Sequence, residues 1–200
     1  DLHLSLRRQR QMCIRDRNMP MTKIPENVDA LETEKPGVIF AAYENFGCKY
    51  AAMDAKEPLG KDSFIATSDQ FIKCGKDGAR YMESWGDSIV ADHAFTNALS
   101  EKVGITRKAL RIDSQAKYGS LSRGDAHIYL RFPPKTYREK VWDHAAGAII
   151  VSESGGVISD AAGVPLEFGK GRFLDINGGI VASSTPELHE QLLKAIADLR

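Results

Sequence analysis

The run Ala109-Leu-Arg-Ile-Asp-Ser-Gln-Ala-Lys-Tyr-Gly-Ser-Leu-Ser-Arg-Gly-Asp-Ala-His-Ile-Tyr-Leu-Arg131 decides the fold class. Ala109 to Asp113 reads as a strand and Gln115 to Arg123 as a helix. Gly124 stops that helix, and Ala126 to Arg131 returns as a strand. Ser114, at the strand-to-helix junction, has the side chain of a natural N-cap. Pro133-Pro134 then breaks the chain. Strand, helix and strand in close succession argue for an α/β sheet with helices on its faces.

The same alternation continues on both sides. Upstream, Gly37 to Tyr43 and Cys48 to Met53 are strands joined by a turn at Glu44-Asn45-Phe46-Gly47, a hairpin. A polar loop follows over 54–63, and short strands are expected near 63–67 and 78–83. Apolar residues at Ala94, Phe95, Ala98, Leu99 and Val103 give Asp92 to Val103 a helical spacing, with Gly104 as its C-cap. Downstream, Glu139 to Ser154 is a helix ended by Gly155-Gly156. Val157 to Ser159 and Gly179 to Ala182 are strands. Pro186 to Leu199 is a terminal helix, with proline suited to its first turn. Links are short, so residues 18–200 form a single domain. Residues 18–36 read as a loop.

Residues 1–17, Asp-Leu-His-Leu-Ser-Leu-Arg-Arg-Gln-Arg-Gln-Met-Cys-Ile-Arg-Asp-Arg, fit none of this. A basic tail for an acidic partner is one reading. The phrase Met12 to Arg17 resembles translated sequencing-adapter read-through, and the segment is read as non-native and outside the fold.

Composition narrows the function classes. Lys and Arg number 27 and so do Asp and Glu, a net charge of zero, so nucleic acid is not expected as a bulk electrostatic partner. A pocket for one small anion needs only a few placed cations and stays open. No run of 18 apolar residues occurs, so no membrane span is expected. Three separated cysteines, Cys13, Cys48 and Cys74, form no disulfide framework and suit a reducing compartment. Cytoplasm is the expected location, with an organelle left open.

Four places can carry chemistry. Asp143, in Trp142-Asp143-His144-Ala145-Ala146-Gly147, sits in the opening turns of a helix. It is either a carboxylate favoured by the helix dipole or a hard oxygen ligand for Mg²⁺. The small residues after it let a neighbour approach closely. Glu153, ten residues on, is expected to be solvated. Ser114 and Lys117 lie on one side of a first helical turn, which makes either a phosphate site at a helix N-terminus or an ordinary cap with a surface lysine. The same Ser-x-x-Lys spacing occurs in serine β-lactamases, but their companion motifs are absent. Arg131 ends a strand, where a guanidinium can grip phosphate bidentately or simply face solvent. His93 begins a helix and can contact a base or lie in solvent. Gly163 to Gly171 is too long between its glycines, and opens no helix, for a nucleoside triphosphate loop. The histidines show no zinc spacing.

Taken in order, the blocks Leu110 to Tyr118, Gly124 to Arg131, Tyr137 to Gly147 and Glu153 to Asp160 closely resemble the 3′(2′),5′-bisphosphate nucleotidases of the inositol monophosphatase superfamily. Gly37 to Gly47, Pro165 to Arg172 and Gly179 to Ser184 fit the same pattern. The Trp-Asp-x-Ala-Ala-Gly block marks the superfamily; Asp113-Ser-Gln-Ala-Lys-Tyr118 selects the nucleotidase branch. The resemblance implies the C-terminal half of a layered α/β sandwich with a mixed sheet flanked by helices. It implies a Mg²⁺-dependent phosphatase acting on adenosine 3′,5′-bisphosphate to give AMP, with PAPS as a further substrate. Asp143 would bind metal and lie beside the substrate. Ser114, Lys117 and Arg131 would hold the nucleotide, and His93 would border it, near an adenosine-binding stretch from Glu83 to His93. The family's Asp-Pro-Ile-Asp-Gly-Thr motif and an upstream glutamate, which supply the other metal ligands, are not found in these 200 residues. The chain is therefore expected to be a C-terminal fragment, inactive alone. An inositol phosphate or polyphosphate phosphatase, or a non-catalytic nucleotide-binding remnant, are the alternatives.

Overall fold

The structure is a computed structural model that describes residues 11–16, 37–57, 60, 64–66, 78–85 and 91–200. The expected loop over 18–36, most of the second half of the loop over 54–63, and residues 86–90 of the expected adenosine stretch lie outside the described residues.

Two sheets form instead of one. The first is an antiparallel meander of β1 (Gln11–Asp16), β2 (Val38–Tyr43), β3 (Gly47–Ala52) and β4 (Phe64–Ala66). The expected hairpin is β2 and β3, paired from Val38 against Ala52 to Tyr43 against Gly47. Asn45 in its turn has φ 67°, a left-handed conformation that asparagine tolerates. Residues 11–16, which the sequence reading set outside the fold, add as the edge strand against β2. An edge needs only extended backbone to satisfy its N–H and C=O groups, so hydrophobic pattern does not announce it.

The second sheet holds β5 (Tyr81–Glu83), β6 (Leu110–Arg111), β7 (Ile128–Arg131), β8 (Val157–Asp160) and β9 (Ile180–Ser183), in the order β6-β5-β7-β9-β8. β5 runs parallel to β6 and β7, while β9 is antiparallel to β7 and β8. Four helices are described: α1 (His93–Val103), α2 (Ala116–Ser122), α3 (Val141–Glu153) and α4 (Pro186–Leu199). Asp92 caps α1 by accepting from the Phe95 N–H, and Gly104 closes it at φ 78°. Thr185 caps α4 in the same way through Leu188 N–H.

Three apolar layers join these parts. Val38, Phe40, Ala42 and Cys48 of the first sheet pack on Ala116 of α2 and Ile150 of α3. The other side of that helix pair covers the second sheet through Tyr118, Leu121, Tyr129 and Val151. The far face of the second sheet packs on α1 and α4 through Leu99, Ile128, Leu130, Val181, Leu188, Leu192 and Ile196. The stack is thus sheet, helix pair, sheet, helix pair. Gly147 makes the middle layer possible: a Cβ there would land on the Tyr118 ring, so only glycine lets α2 and α3 meet.

Two local readings change. α3 begins at Val141, not Glu139, because Lys140 pairs with Phe173 in an isolated bridge and stays extended. Glu153 is not merely solvated. Its two oxygens accept from the Asn45 and Gly47 N–H groups at 2.9 and 2.8 Å, which ties α3 to the β2–β3 turn.

Candidate functional site

The three parallel strands β5, β6 and β7 point their C-terminal ends the same way, and the expected ligands gather there. In α/β sheets this edge carries ligand crevices because strand ends leave backbone groups and helix N-termini exposed together.

Lys117 is the centre of the group. It is fully buried, which excludes the surface-lysine reading. Its Nζ donates to Ile112 O at the end of β6, to Ser114 O at 3.0 Å and to Ser84 Oγ at 3.4 Å. The ammonium also lies 5.3 Å from the centre of the Tyr129 ring. Burial, and then the Arg131 charge, lower its pKa to about 7, partly offset by Asp113. Ser114 Oγ accepts from Ala116 N–H at 3.0 Å, but α2 starts one residue later than expected, so Gln115 and not Ser114 stands at its N-cap, with no side-chain cap bond.

Arg131 is buried too, not a surface arginine. Its fork is taken by Glu139, with Nε to Oε1 at 2.6 Å and Nη2 to Oε2 at 3.0 Å. Burial pushes the Glu139 carboxyl up, but hydrogen bonds from His144 and Arg131 outweigh it and hold the group below the ordinary carboxylate range. The Arg131 charge also bears on the Tyr129 hydroxyl and draws its pKa down, against the effect of burial. That hydroxyl, raised to about 12 mainly by burial, donates to Gln115 Oε1 at 3.2 Å.

Asp143 lies in the first turn of α3, partly exposed, with its N–H on Lys140 O. Its charge reaches the buried Tyr118 and Tyr129 hydroxyls, as do those of Arg131 and Glu139. Asp143 and Arg131 thus bear on both tyrosines, and Lys117 lies over the Tyr129 ring. Trp142 beside it is exposed, with Arg172 5.7 Å from its ring.

His93, at the start of α1, turns inward. Its Nε2 meets Ser84 O at 3.0 Å and lies 3.6 Å from Glu83 Oε1. Glu83 is fully buried and accepts from Thr96 Oγ1 and Arg111 Nε. Ser84 therefore links His93 to Lys117, a role the sequence reading did not assign. Glu139, His144, Tyr118 and Tyr129 were missed as well. The alternation Ile128-Tyr129-Leu130-Arg131 held the signal for Tyr129, because every second strand residue shares a face.

A cleft of about 710 Å³ lies elsewhere, between Asp92, Phe95, Phe132 and Arg200, and is lined by none of the expected ligands. Among the described residues, no three acidic, histidine or cysteine side chains cluster to hold a metal. A carboxylate such as that of Asp143 could give Mg²⁺ an oxygen, and Mg²⁺ takes one or two carboxylates together with water and substrate phosphate oxygens. A cluster of such ions needs more donors than this.

Residues 40–200 match the inositol monophosphatase family. The chain belongs to that family. Among its curated relatives, the 3′(2′),5′-bisphosphate nucleotidase of Oryza sativa is 57% identical over 166 residues, 82% of this chain and 44% of the relative. The enzyme of that name from Schizosaccharomyces pombe is 38% identical over 180 residues, 87% of this chain and 48% of the relative. The chain spans about half the length of these family members. CysQ from Bacteroides thetaiotaomicron, described as a bacterial member of the family, shares the fold with a TM-score of 0.57 at 19% identity, over 75% of this chain and 55% of that one. An inositol monophosphatase from Zymomonas mobilis superposes with a TM-score of 0.56 at 18% identity, over 80% and 53% of the two chains. The layered α/β fold expected from the sequence is the family's fold. Among the described residues, no helix is long and apolar enough to cross a membrane.

Proposed function

We propose that this protein contributes to a Mg²⁺-dependent 3′(2′),5′-bisphosphate nucleotidase that converts adenosine 3′,5′-bisphosphate to AMP and inorganic phosphate. The observation that carries the reading is the convergence of buried Lys117 and Arg131 at the ends of β6 and β7, around tyrosines that also feel Asp143. Two buried cations with so little solvent around them suit a multiply charged anion. The relatives' names supply the nucleotide.

In this reading Ser114 and Lys117 hold phosphate at the start of α2, and Arg131 holds it from β7. His93 and Ser84 border the nucleoside. Asp143 would hold Mg²⁺, which supplies charge neutralisation at the phosphoryl group and an acidified water. The bond from phosphorus to the 3′ oxygen breaks as water adds, and that oxygen leaves with a proton. The 200 residues alone are proposed to be inactive, since no three acidic, histidine or cysteine side chains among the described residues cluster to hold a metal. PAPS is a further candidate substrate.

The family equally contains inositol phosphatases, so substrate choice is the test. Phosphate release should be measured from adenosine 3′,5′-bisphosphate, PAPS and inositol 1-phosphate. The protein assayed is the chain together with whatever in-frame sequence precedes it in the gene. Release from the nucleotide at Mg²⁺ saturation, lowered about 100-fold or more by Asp143→Asn, is the expected result. Preference for inositol 1-phosphate moves the assignment to the inositol branch. Binding of the nucleotide without turnover makes the protein a non-catalytic binder.

A further inference from the structure

Between β7 and α3 runs one buried chain of hydrogen bonds. The Tyr118 hydroxyl meets His144 Nδ1 at 2.7 Å, and His144 Nε2 meets Glu139 Oε2 at 2.9 Å. Glu139 grips the Arg131 fork at 2.6 and 3.0 Å. Tyr129, close enough to feel the Arg131 charge, donates its own hydroxyl to Gln115. Tyr118, Tyr129, Glu139 and His144 are all 0% exposed.

Stability does not account for this chain. Taking a carboxylate and a guanidinium out of water is costly, and an apolar replacement of equal volume is often as stable or more so. What the chain fixes is direction. A guanidinium is a rigid plane with five N–H groups. Once Glu139 holds two of them, the remaining edge can point only one way. Glu139 itself cannot rotate, because His144 holds one of its oxygens and Tyr118 holds His144. The chain also ties together the three elements that bear Lys117, Arg131 and Asp143. Tyr118 is on α2 next to Lys117, Arg131 ends β7, and His144 follows Asp143 on α3.

We infer that Glu139 is a positioning residue: anchored by His144 and Tyr118, it sets the plane of the Arg131 guanidinium so that the remaining N–H groups meet a substrate phosphate. This rests on the reading of Arg131 as a phosphate ligand given above. Glu139 touches no substrate in this scheme; it acts through Arg131.

A double-mutant cycle tests it, on the same protein used for the substrate comparison. Glu139→Gln keeps the shape and removes the charge that grips the fork. Its KM for adenosine 3′,5′-bisphosphate should rise about tenfold, the scale seen when an outer partner of a ligand is lost. kcat should change less. Arg131→Lys should raise KM similarly. The double variant should be no worse than Arg131→Lys, since a residue that acts through Arg131 has nothing left to position. Independent, multiplying effects would overturn the inference, as would an unchanged KM in Glu139→Gln. Thermal unfolding of each variant is measured alongside. If Glu139→Gln does not fold, Tyr118→Phe replaces it in the cycle; it removes one hydroxyl at the far end of the chain. A KM rise of about threefold that vanishes in the Arg131→Lys background supports the inference, and an unchanged or independent KM overturns it. A wild-type protein that releases no phosphate from the nucleotide sinks the functional reading and this inference together. An active wild type with multiplying variants sinks the inference alone.

Discussion

On β7, Ile128 and Leu130 face α1 and α4, while Tyr129 and Arg131 face α2 and α3. On β9, Val181 goes with the first set and Ala182 with the second. One sheet thus carries a back layer closed mostly by aliphatics, with buried Glu83 at one end, and a front layer threaded with buried charge. The back layer is closed by branched aliphatics whose burial stabilises about 1.5–3 kcal/mol per side chain. The front layer gives up some of that gain for Lys117, Arg131, Glu139 and His144, groups that cost energy to desolvate. A fold under selection for stability alone would not place them there. The difference separates the part of the molecule that holds it together from the part that meets a ligand.

The sharpest way to break this division is steric. Gly147→Leu drives a side chain into the Tyr118 ring and separates α2 from α3. It should destabilise by about 3 kcal/mol or more in urea unfolding. It should also abolish the response to nucleotide, because α2 and α3 carry Lys117 and Asp143. Leu192→Ala empties a fully buried position of the back layer. It should cost a similar 2–5 kcal/mol, yet leave the affinity of the remaining folded protein unchanged. Loss of affinity in that variant would show that the two faces are not separable.

The faces should also differ in pH. His189 lies in the back layer between Ser159 Oγ and Ser183 Oγ, at 2.8 and 3.1 Å. Burial lowers its pKa from 6.5 to about 4. The unfolded chain therefore binds the proton first, and stability is lost as pH falls from about 6.5 toward 4. Lys117 in the front layer is lowered from 10.5 to about 7. The sign is the same but the window is not: its penalty is fully present below pH 7 and is relieved as pH rises toward 10.5. Unfolding midpoints measured across pH should flatten in the acid window for His189→Asn, and in the alkaline window for Lys117→Met. The reverse assignment would contradict the picture of the two layers.

The smallest expected change in stability belongs to Asp143→Asn. The side chain is partly exposed, so it loses only its favourable place at the α3 N-terminus, about 0.3–1 kcal/mol. A larger loss would mean that Asp143 holds the fold and not a ligand.

Much of the back layer was legible in the sequence, because local periodicity and caps announce it. Asp92, Gly104 and Thr185-Pro186 mark helix ends by their own chemistry, and Leu188 to Ile196 repeat at helical spacing. The second sheet was not legible as separate, since which strands pair is a non-local matter. Lys117, Arg131 and Asp143 were found by pattern, but their burial was not. Glu139 sits in Tyr-Arg-Glu-Lys, a stretch that reads as solvated charge. Only the Lys140–Phe173 bridge, formed with residues 33 positions away, turns it inward. The role of Ser84 likewise depends on β5 and β6 being neighbours in space.

The central claim is that the nucleotide meets the front layer and the His93 end of α1, and not α4. Amide chemical shifts of the 200-residue chain, recorded while adenosine 3′,5′-bisphosphate is added with Mg²⁺, test it most directly. The account predicts movement at Ser84, at His93, at Ile112 to Tyr118, at Arg131 and at Glu139 to Ala145, with Leu188 to Ile196 unmoved. Shifts centred on α4, or none at saturating nucleotide, would contradict it.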